Sequence, residues 1–385
     1  MGTAGDCAGI SLCRTGPLAA PLHRAIRGGG ITQRPEGPLR LVAAGCGRVF
    51  ERFHLPALQA QARWSLVGVA DPRPERLAWI KARVPSVLAD GSLASLLTRL
   101  HPDAVLISSS PESHCALADE ALRSGAHVLL EKPMVLQISE ARLLLDLARS
   151  GNRQIWVGFN RRFRPAYLEL RARLERESGS AIRSARFELR SDPLGWNPVA
   201  PHLSQPDRSA ALLQDIASHQ LDLIPWLLGR NPTRVRARWL QRDAQGTRIQ
   251  LDLQFEENLI ASCLAGHVPG YVERLEINVG GEELLAGPGG ILRRGMLPQP
   301  LAYRWLEGRS RLRAVAHKLM GHPGDTLSTF RRQLLAWAQA IGSPAVRGSS
   351  PAADGLAGAR SVALVGVSIR SLAADGAWVD TPDPL

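Results

Sequence analysis

The chain has 385 residues, of which 45% are hydrophobic and 21% charged, which is typical of a soluble globular protein with room for two domains. Its formal net charge is +12, but the basic residues are almost all arginine and are spread along the chain, and aromatic residues make up only 5%. A nucleic-acid-binding protein needs a concentrated basic face and stacking platforms, so this pattern argues against that class. No apolar run reaches the length of a membrane span.

The five cysteines form no Cys-x-x-Cys pair and no even framework. They indicate reduced thiols and therefore a cytoplasmic protein. Residues 1–37 show no sustained periodicity and no secretory-signal pattern. We interpret them as a disordered extension or the product of a mis-assigned start codon, and we expect folding to begin near Pro38.

Short apolar runs alternate with helical segments between Pro38 and Gly158. The runs predict strands over Leu39–Ala44, Ser65–Ala70, Ala104–Ser108, His127–Glu131 and Ile155–Phe159. Helical patterns end at Leu58 and span Pro74–Val84, His114–Ser124 and Ser139–Ser150. Strands of about five residues that alternate with helices need crossover connections, which give a doubly wound parallel sheet. We therefore predict an α/β nucleotide-binding domain over residues 38–158.

The pattern changes after Asn160. Helices are predicted over Arg164–Ser178, Ala211–Leu228, Phe330–Ile341 and Leu356–Ala373. Between them, short turns join predicted strands at Arg183–Arg190, Thr233–Leu240, Arg248–Phe255, Leu259–Ala265 and Glu273–Val279. Sequential strands of this kind favour a mostly antiparallel sheet, so we assign residues 159–376 to a second domain and residues 377–385 to a tail. The basic stretch Arg304–Lys318 predicts a partly amphipathic helix with a solvated face.

A glycine-rich turn follows the first strand and opens a helix; its residues are Gly45, Cys46, Gly47, Arg48 and Val49. Glycines here permit a tight turn and close approach of the backbone to a pyrophosphate, which the helix amino end then stabilises. Phe50 occupies the position of the third glycine of the usual fingerprint, so the motif alone is weak.

Asp71 ends the second strand, where a carboxylate binds ribose hydroxyls and repels the 2′-phosphate of NADP. NAD is therefore the favoured cofactor, although Arg73 and Arg76 lie close enough to keep NADP possible. Asp71 could also cap the turn at Asp71-Pro72, a role that the ribose contact does not exclude.

Ser109 and Ser110 follow the next strand and should border the cofactor. His114 begins the helix after them and either contacts the cofactor or packs the crevice.

Lys132 stands at the carboxyl end of a buried strand, where open α/β sheets bind their ligands. A lysine in such a place can act as acid, base or hydrogen-bond donor. Asp215 and His219 are four apart in a helical pattern, so they lie on one face. A histidine can accept the hydroxyl proton as a hydride leaves an alcohol, but a pair at this spacing is more often a surface pair. A metal site lacks a third ligand at a supporting spacing.

Several segments occur together in an order that is more specific than any one of them: a Gly-Cys-Gly turn leading to His54–Leu58, then Ser110–His114, Glu131–Pro133, Gly158–Phe163 and Asp215–Asp222. In these segments the chain resembles the glucose–fructose oxidoreductase/inositol dehydrogenase/MocA family, and the resemblance covers roughly residues 39–229, with a less specific match to about residue 374.

The resemblance implies a Rossmann domain that binds NAD, with NADP possible, and a C-terminal α/β domain with a large open sheet, which often builds homodimers or homotetramers. It implies that Lys132 hydrogen-bonds the reacting oxygen, that His219 is the general acid/base, and that Asp215 positions the substrate or His219. Glu131, Asn160 and Arg161 would border the cofactor or the substrate. For Arg162 and Arg164 a solvated basic turn with an interdomain salt bridge is favoured, and Asp222 is interpreted as structural.

The substrate surroundings depart from the family pattern. Ser209-Ala210-Ala211 stands where a Gly-Gly pair is common, Arg164 replaces a small acidic residue, and Gln214 replaces a small or apolar one. Trp196 could stack on a sugar ring or cap the sheet.

The leading hypothesis is hydride transfer between a nicotinamide and a secondary alcohol or ketone of a small carbohydrate-like molecule, namely a sugar, an inositol or a sugar-nucleotide. The alternatives are reduction of an imine or enone in specialised metabolism and a non-catalytic NAD-binding regulator. Neither a membrane nor a nucleic acid is expected as a partner.

Overall fold

The computed structural model describes residues 37–177, 182–192, 211–243, 246–293, 299–319, 325–342 and 350–382. The predicted extension, apart from Gly37, lies outside the described residues, and so do Trp196 and the Ser209-Ala210 pair.

The first sheet has seven strands in the order β14-β6-β5-β4-β1-β2-β3. Its strands are β1 (Leu39–Ala44), β2 (Trp64–Ala70), β3 (Leu88–Asp90), β4 (Ala104–Ile107), β5 (His127–Leu130), β6 (Ile155–Val157) and β14 (Ala353–Asp354). β1 to β6 pair in parallel, and β14 is antiparallel to β6. The central strands are buried on both faces, as near-continuous apolar runs require. The predicted doubly wound sheet is confirmed; β3 and β14 were too short to predict.

Helices of the first sheet follow its strands. They are α1 (Leu55–Gln59), α2 (Pro74–Arg83), α3 (Leu93–Leu100), α4 (His114–Arg123) and α5 (Ile138–Ser150). A π-helical turn over Phe50–His54 precedes α1. Phe50, which replaces the third glycine, is fully buried in the core beneath this turn.

The second sheet has eight strands in the order β13-β12-β11-β7-β10-β9-β8-β15. They are β7 (Ile182–Ser191), β8 (Arg234–Asp243), β9 (Gly246–Gln254), β10 (Ile260–His267), β11 (Val272–Val279), β12 (Glu282–Gly287), β13 (Gly290–Arg293) and β15 (Val379–Asp380). Among the described strands of this sheet only β7 and β10 pair in parallel, so the prediction of a mostly antiparallel sheet is confirmed. Strand burial alternates, because one face packs on helices.

The remaining helices are α6 (Pro165–Arg176), α7 (Ser218–Leu228, preceded by a π-helical turn at Leu213–Ala217), α8 (Gln299–Leu319), α9 (Asp325–Gly342) and α10 (Gly355–Ala373). Side chains of α6, α7 and α10 form the core beneath the second sheet. Ala302 and Leu306 of α8 pack on Leu285 and Leu292, so the predicted basic helix exists and covers part of the opposite face.

The chain returns to the first sheet near its end. Phe330, Leu334 and Trp337 of α9 belong to the core of β1 and β2, with the Trp64 and Trp337 rings 4.6 Å apart. β14 then extends the sheet beyond β6. Helix α9 therefore packs on the first sheet and β14 belongs to it, although the predicted domain assignment groups both with the second.

Helix α10 lies between the two cores. It is long and apolar enough, by length and composition, to cross a membrane, but 56% of its apolar window is buried inside the protein. Ala359 and Val362 pack under the first sheet, whereas Leu364 and Val367 pack under the second. This burial accounts for its apolar composition.

Arg162 and Arg164 are buried, so the expectation of a solvated turn was wrong, whereas the expected salt bridges are present. Arg162 donates two hydrogen bonds to Asp222 of α7, at 2.8 and 2.5 Å, and Arg164 pairs with Glu273 of β11. Burial requires such charges to be paired, and the carboxylates are supplied from elements far along the chain. The structural interpretation of Asp222 agrees with this contact.

Replacing Asp222 with Asn should destabilise the protein by about 3–5 kcal/mol, because it leaves the Arg162 guanidinium buried without a counter-charge. Urea unfolding followed by circular dichroism measures this. The control is Asp146→Asn, which removes an exposed pair with Arg149 and should leave the transition unchanged. Equal unfolding curves for Asp222→Asn and the wild type would show that the pair contributes nothing to stability.

Candidate active site

The turn after β1 admits only glycine at its first position. Gly45 has a φ of +89°, and a Cβ on it would lie 2.5 Å from the backbone nitrogen of Ser109. Its N–H donates to the Ala70 carbonyl at 2.8 Å. A Cβ on Gly47 would instead have only Ser108 O, at 4.0 Å, beside it, which leaves room for a phosphate above the helix amino end. The turn fits a dinucleotide pyrophosphate.

Asp71 lies at the end of β2 with its side chain only 1% exposed. Its carboxylate accepts the Cys46 N–H at 2.8 Å and the Arg73 guanidinium at 2.9 and 3.0 Å. Burial alone would raise the pKa of Asp71, but these hydrogen bonds hold it below its ordinary value. The turn-capping role is therefore present, and the half-exposed Arg73 is the more accessible group at the predicted ribose position.

Arg76 braces the same turn from α2. Its guanidinium donates to the Cys46 carbonyl at 2.8 Å and to Glu51 at 2.8 Å. Burial, followed by the charge of Asp71, raises the pKa of the Cys46 thiol to about 12, so this thiol is protonated. Because Arg76 already bonds Cys46 and Glu51, Arg73 is the cation that lies beside the predicted ribose site.

His114 supports the cofactor loops from beneath. It is fully buried; its Nδ1 lies 2.9 Å from the Pro133 carbonyl and its Nε2 lies 3.3 Å from the Ser109 carbonyl. Burial lowers the pKa of His114, so the ring is neutral and Nδ1 carries the proton of the shorter hydrogen bond. The structure thus favours the packing interpretation of His114. Ser109 is half-buried and Ser110 is exposed, so both can still border a cofactor.

Glu131 also faces inward. Its Oε1 accepts from His54 Nε2 at 2.7 Å, where His54 is fully buried, and Oε2 accepts from the Lys132 N–H at 3.2 Å. A Cβ on Gly158 would lie 2.9 Å from this carboxylate. Glu131 therefore connects the first π-helical turn to the ends of β5 and β6, and its cofactor contact stays a prediction.

Lys132 reaches from the end of β5 to the second π-helical turn. The Lys132-Pro133 peptide bond is cis. Lys132 Nζ donates to Asp215 Oδ1 at 2.6 Å and to the Asp215 carbonyl at 3.0 Å. Side-chain exposures of 18% and 27% leave both groups partly accessible to solvent. The two residues, 83 positions apart, therefore form one ion pair at the carboxyl edge of the parallel sheet.

The second oxygen of Asp215 is held by a residue that sequence reasoning missed. His267, the last residue of β10, donates from Nε2 to Asp215 Oδ2 at 3.1 Å. Burial would raise the pKa of Asp215, but Lys132 and then His267 hold it well below its ordinary range. The one sequence signal of His267 is a polar side chain that directly ends an apolar strand.

His219 lies beside this ion pair without sharing its hydrogen bonds. It is 8% exposed, and its buried Nδ1 has no partner within the described part of the chain. Its ring meets Phe159 edge to face, with centroids 6.2 Å apart. Burial, then the charges of Arg161 and Lys132, holds the pKa of His219 well below its ordinary value, so the imidazole is neutral at physiological pH.

Arg161 belongs to a buried charge cluster. Glu273 of β11 accepts from Arg161, Arg164, Tyr167 and the hydroxyl of Tyr271. Burial would raise the pKa of Glu273, but the two arginines lower it to about 2, so it is ionised. Arg161 keeps 13% of its side chain exposed, at the edge of the cleft.

Asn160 donates to Thr329 of α9 at 3.0 Å. The structure thus brings Lys132, Asp215 and His219 together, with Asn160 and Arg161 at the junction of the two sheets. In the described ranges no group of three His, Cys, Asp or Glu side chains is placed to hold a metal ion.

Comparison with known proteins identifies the class. A family model described as the oxidoreductase family with an NAD-binding Rossmann fold matches residues 39–159, and the C-terminal-domain model of the same family matches residues 167–284. The chain therefore belongs to the GFO/IDH/MocA oxidoreductase family. Its N-terminal domain is an NAD-binding Rossmann domain.

Individual relatives agree with this assignment. Over 193 residues the chain is 36% identical to YceM of Salmonella typhimurium, described as a candidate oxidoreductase, covering 50% of this chain and only 57% of that protein. Over 324 residues it is 29% identical to inositol 2-dehydrogenase 2 of Saccharopolyspora erythraea, covering 82% and 88%. The WlbA dehydrogenase of Bordetella pertussis, solved with NADH and UDP-GlcNAcA, shares the fold with a TM-score of 0.69 at 22% identity, covering 90% and 99%.

Replacing Asp71 with Asn should weaken NADH binding about tenfold, or ~1.4 kcal/mol, and weaken NADPH binding less, because it removes the carboxylate charge but keeps an acceptor for the Cys46 N–H. Fluorescence titration measures both constants. The matched control is Asp103→Asn, whose carboxylate also accepts a backbone N–H, from Arg40, at the amino end of β4. An unchanged ratio of NADH to NADPH affinity would argue against a ribose contact at Asp71.

Proposed function

We propose that the protein is an NAD-dependent dehydrogenase or reductase that transfers a hydride between nicotinamide and a secondary alcohol or ketone of a sugar, inositol or sugar-nucleotide. The observation that carries this proposal is the Lys132–Asp215 ion pair, at the carboxyl edge of the Rossmann sheet, beside a neutral His219. The names of the relatives, inositol 2-dehydrogenase and a dehydrogenase crystallised with UDP-GlcNAcA, support a polyhydroxylated substrate.

The bound nicotinamide would supply the hydride acceptor or donor. The glycine turn would hold its pyrophosphate, and Asp71 or Arg73 would meet the adenosine ribose. Ser109, Ser110, Asn160 and Arg161 would border it on the way to the cleft. Lysine and histidine then act on the other reactant.

Lys132 would donate a hydrogen bond to the reacting oxygen. A cationic donor stabilises the negative charge that grows on this oxygen as a carbonyl is reduced or a hydroxyl is deprotonated. Asp215 holds Lys132 Nζ in place, because it supplies two acceptors for this ammonium, Oδ1 and the backbone carbonyl. Asp215 would thereby position Lys132, and it would act on the substrate only through Lys132.

His219 would accept the hydroxyl proton in oxidation and return it in reduction. Its neutral state suits a base, and the positive surroundings make its protonated form a strong acid. We further place the protein in the cytosol, since Cys46 and Cys263 are buried thiols, and we propose a homodimer or homotetramer from its family.

Two other functions remain to be separated from this one. An imine or enone reductase would use the same lysine and histidine on a substrate with few hydroxyls, and a regulator would bind NAD without turnover. A substrate panel decides among the three functions. It compares inositols, hexoses, uronic acids and sugar-nucleotides with cyclic imines and enones, each assayed with both cofactors. Turnover of the second group alone would overturn the proposal.

Lys132→Met should lower kcat about 10²- to 10⁴-fold while changing the NADH dissociation constant little, because it removes the donor to the reacting oxygen but not the nucleotide contacts. Steady-state kinetics and NADH fluorescence measure the two effects. Lys81→Met is the control, since Lys81 donates to the Pro85 and Val87 carbonyls at the far end of α2. Wild-type turnover by Lys132→Met would remove Lys132 from the mechanism.

The pH profile should show no loss of kcat/KM for alcohol oxidation as the pH falls from about 7 to about 6, because the pKa of His219 is held well below its ordinary ~6.5 and the base stays neutral. Arg161→Met removes a nearby cation, so it should raise that pKa and move the acidic limb upward. Arg149→Met changes an exposed arginine and should not move it. An acidic limb near pH 6.5 in the wild type would contradict this assignment.

A further inference from the structure

We propose that His267 is a positioning residue of the active site, which fixes the Asp215 carboxylate and thereby sets the direction of the Lys132 ammonium. This inference rests on the function proposed above and deepens it. On this proposal, His267 of the second sheet helps to place Lys132, which follows a strand of the first sheet.

The contact chain crosses three elements. Lys132 lies two residues beyond β5 of the parallel sheet, Asp215 lies in the π-helical turn before α7, and His267 ends β10 of the second sheet. Lys132 Nζ donates a hydrogen bond to Asp215 Oδ1 at 2.6 Å, and His267 Nε2 donates one to Oδ2 at 3.1 Å. With one donor on each oxygen, the carboxylate plane has a single orientation.

The strand end that carries His267 is held on both sides. His267 pairs with Thr247 of β9 and with Ser191 of β7, and the next residue, Val268, donates its N–H to the Ser191 carbonyl at 3.2 Å. A Cβ on Gly246 would lie 2.4 Å from His267 O, so the neighbouring hairpin packs directly on this backbone. His267 itself is only 7% exposed, which confines its ring.

The geometry around the carboxylate explains why a histidine suits this place. The imidazole of His267 reaches Oδ2 with one ring nitrogen and leaves Oδ1 to Lys132. A lysine or arginine in its place carries several N–H donors and would compete with Lys132 for both oxygens.

Without His267, Oδ2 would be free to turn toward solvent or substrate, and the carboxylate could rotate about its side-chain bonds. The Lys132 ammonium follows this carboxylate, because Asp215 supplies both of its acceptors. A displacement of about 1 Å at a reacting centre is enough to cost roughly 10²-fold in rate. The effect should fall on kcat, because the nucleotide contacts lie elsewhere.

His267→Phe and His267→Gln separate the donor from the ring. His267→Phe keeps an aromatic ring without a donor, and we expect kcat to fall about 10- to 100-fold while KM and the NADH dissociation constant stay within about threefold. His267→Gln keeps an N–H donor at a similar reach and should retain kcat within about fivefold of the wild type. Combined with Asp215→Asn, His267→Phe should cause little further loss, since the two act through one contact.

A readout independent of turnover comes from the lysines. The chain has three, Lys81, Lys132 and Lys318. Labelling lysine with ¹³C at Cε therefore gives three signals in an NMR spectrum. The signal that disappears in Lys132→Met is that of Lys132. That signal should shift or broaden in His267→Phe and stay in place in His267→Gln, while the Lys81 signal stays unchanged in both.

The outcomes are distinguishable. A Lys132 signal unchanged in His267→Phe, or a kcat equal to the wild type, would overturn the positioning role. Equal losses in both His267 variants that follow their melting temperatures would reduce His267 to a structural residue. A wild-type protein that turns over no substrate, with the Lys132 signal still responding as expected, would defeat the proposed function and leave the positioning contact standing.

Discussion

The ion pair between Lys132 and Asp215 is the interaction on which the arrangement of the site depends. It joins the end of a parallel strand to the turn that leads into α7, and its second oxygen joins that turn to the antiparallel sheet. Partly buried charges carry a desolvation cost that only close partners offset. Each partner here comes from a different element, so the pair forms only when the two sheets meet correctly.

The same constraint recurs around it. Arg162 finds Asp222, and Arg161 and Arg164 find Glu273, each across elements that are distant in the chain. Asp222 balances Arg162, but Glu273 is shared by two arginines, so one positive charge remains unbalanced there. The charges of Arg161 and Lys132 therefore act on His219, whose buried Nδ1 has no partner among the described residues. A neutral histidine in a positive environment is the electrostatic consequence of how the junction is held together.

The sequence was most informative where local pattern and chemistry coincide. The parallel sheet, the glycine turn and the edge position of Lys132 followed from periodicity and strand ends, because those features are encoded within a few residues. The partners of Asp215 could not be predicted in this way. A π-helical turn at Leu213–Ala217 departs from the α-helical spacing that places Asp215 and His219 on one face, and Asp215 bonds Lys132 and His267 instead. The burial of Arg162 and Arg164 was missed for a related reason, since their carboxylates lie about 60 and 109 positions away.

The groups of the site come from different parts of the fold. The cofactor turn and Lys132 come from the first sheet, and Asp215 and His219 from the segment that enters the second. The second sheet contributes His267 and Glu273, whose side chains do not touch the nucleotide turn but orient Lys132 and hold Arg161. Changes at these two positions of the second sheet would therefore reach Lys132 through Asp215 and would reach Arg161 directly. Two residues that depart from the family pattern adjoin the same contacts, because Arg164 pairs with Glu273 and Gln214 directly precedes Asp215 in the π-helical turn.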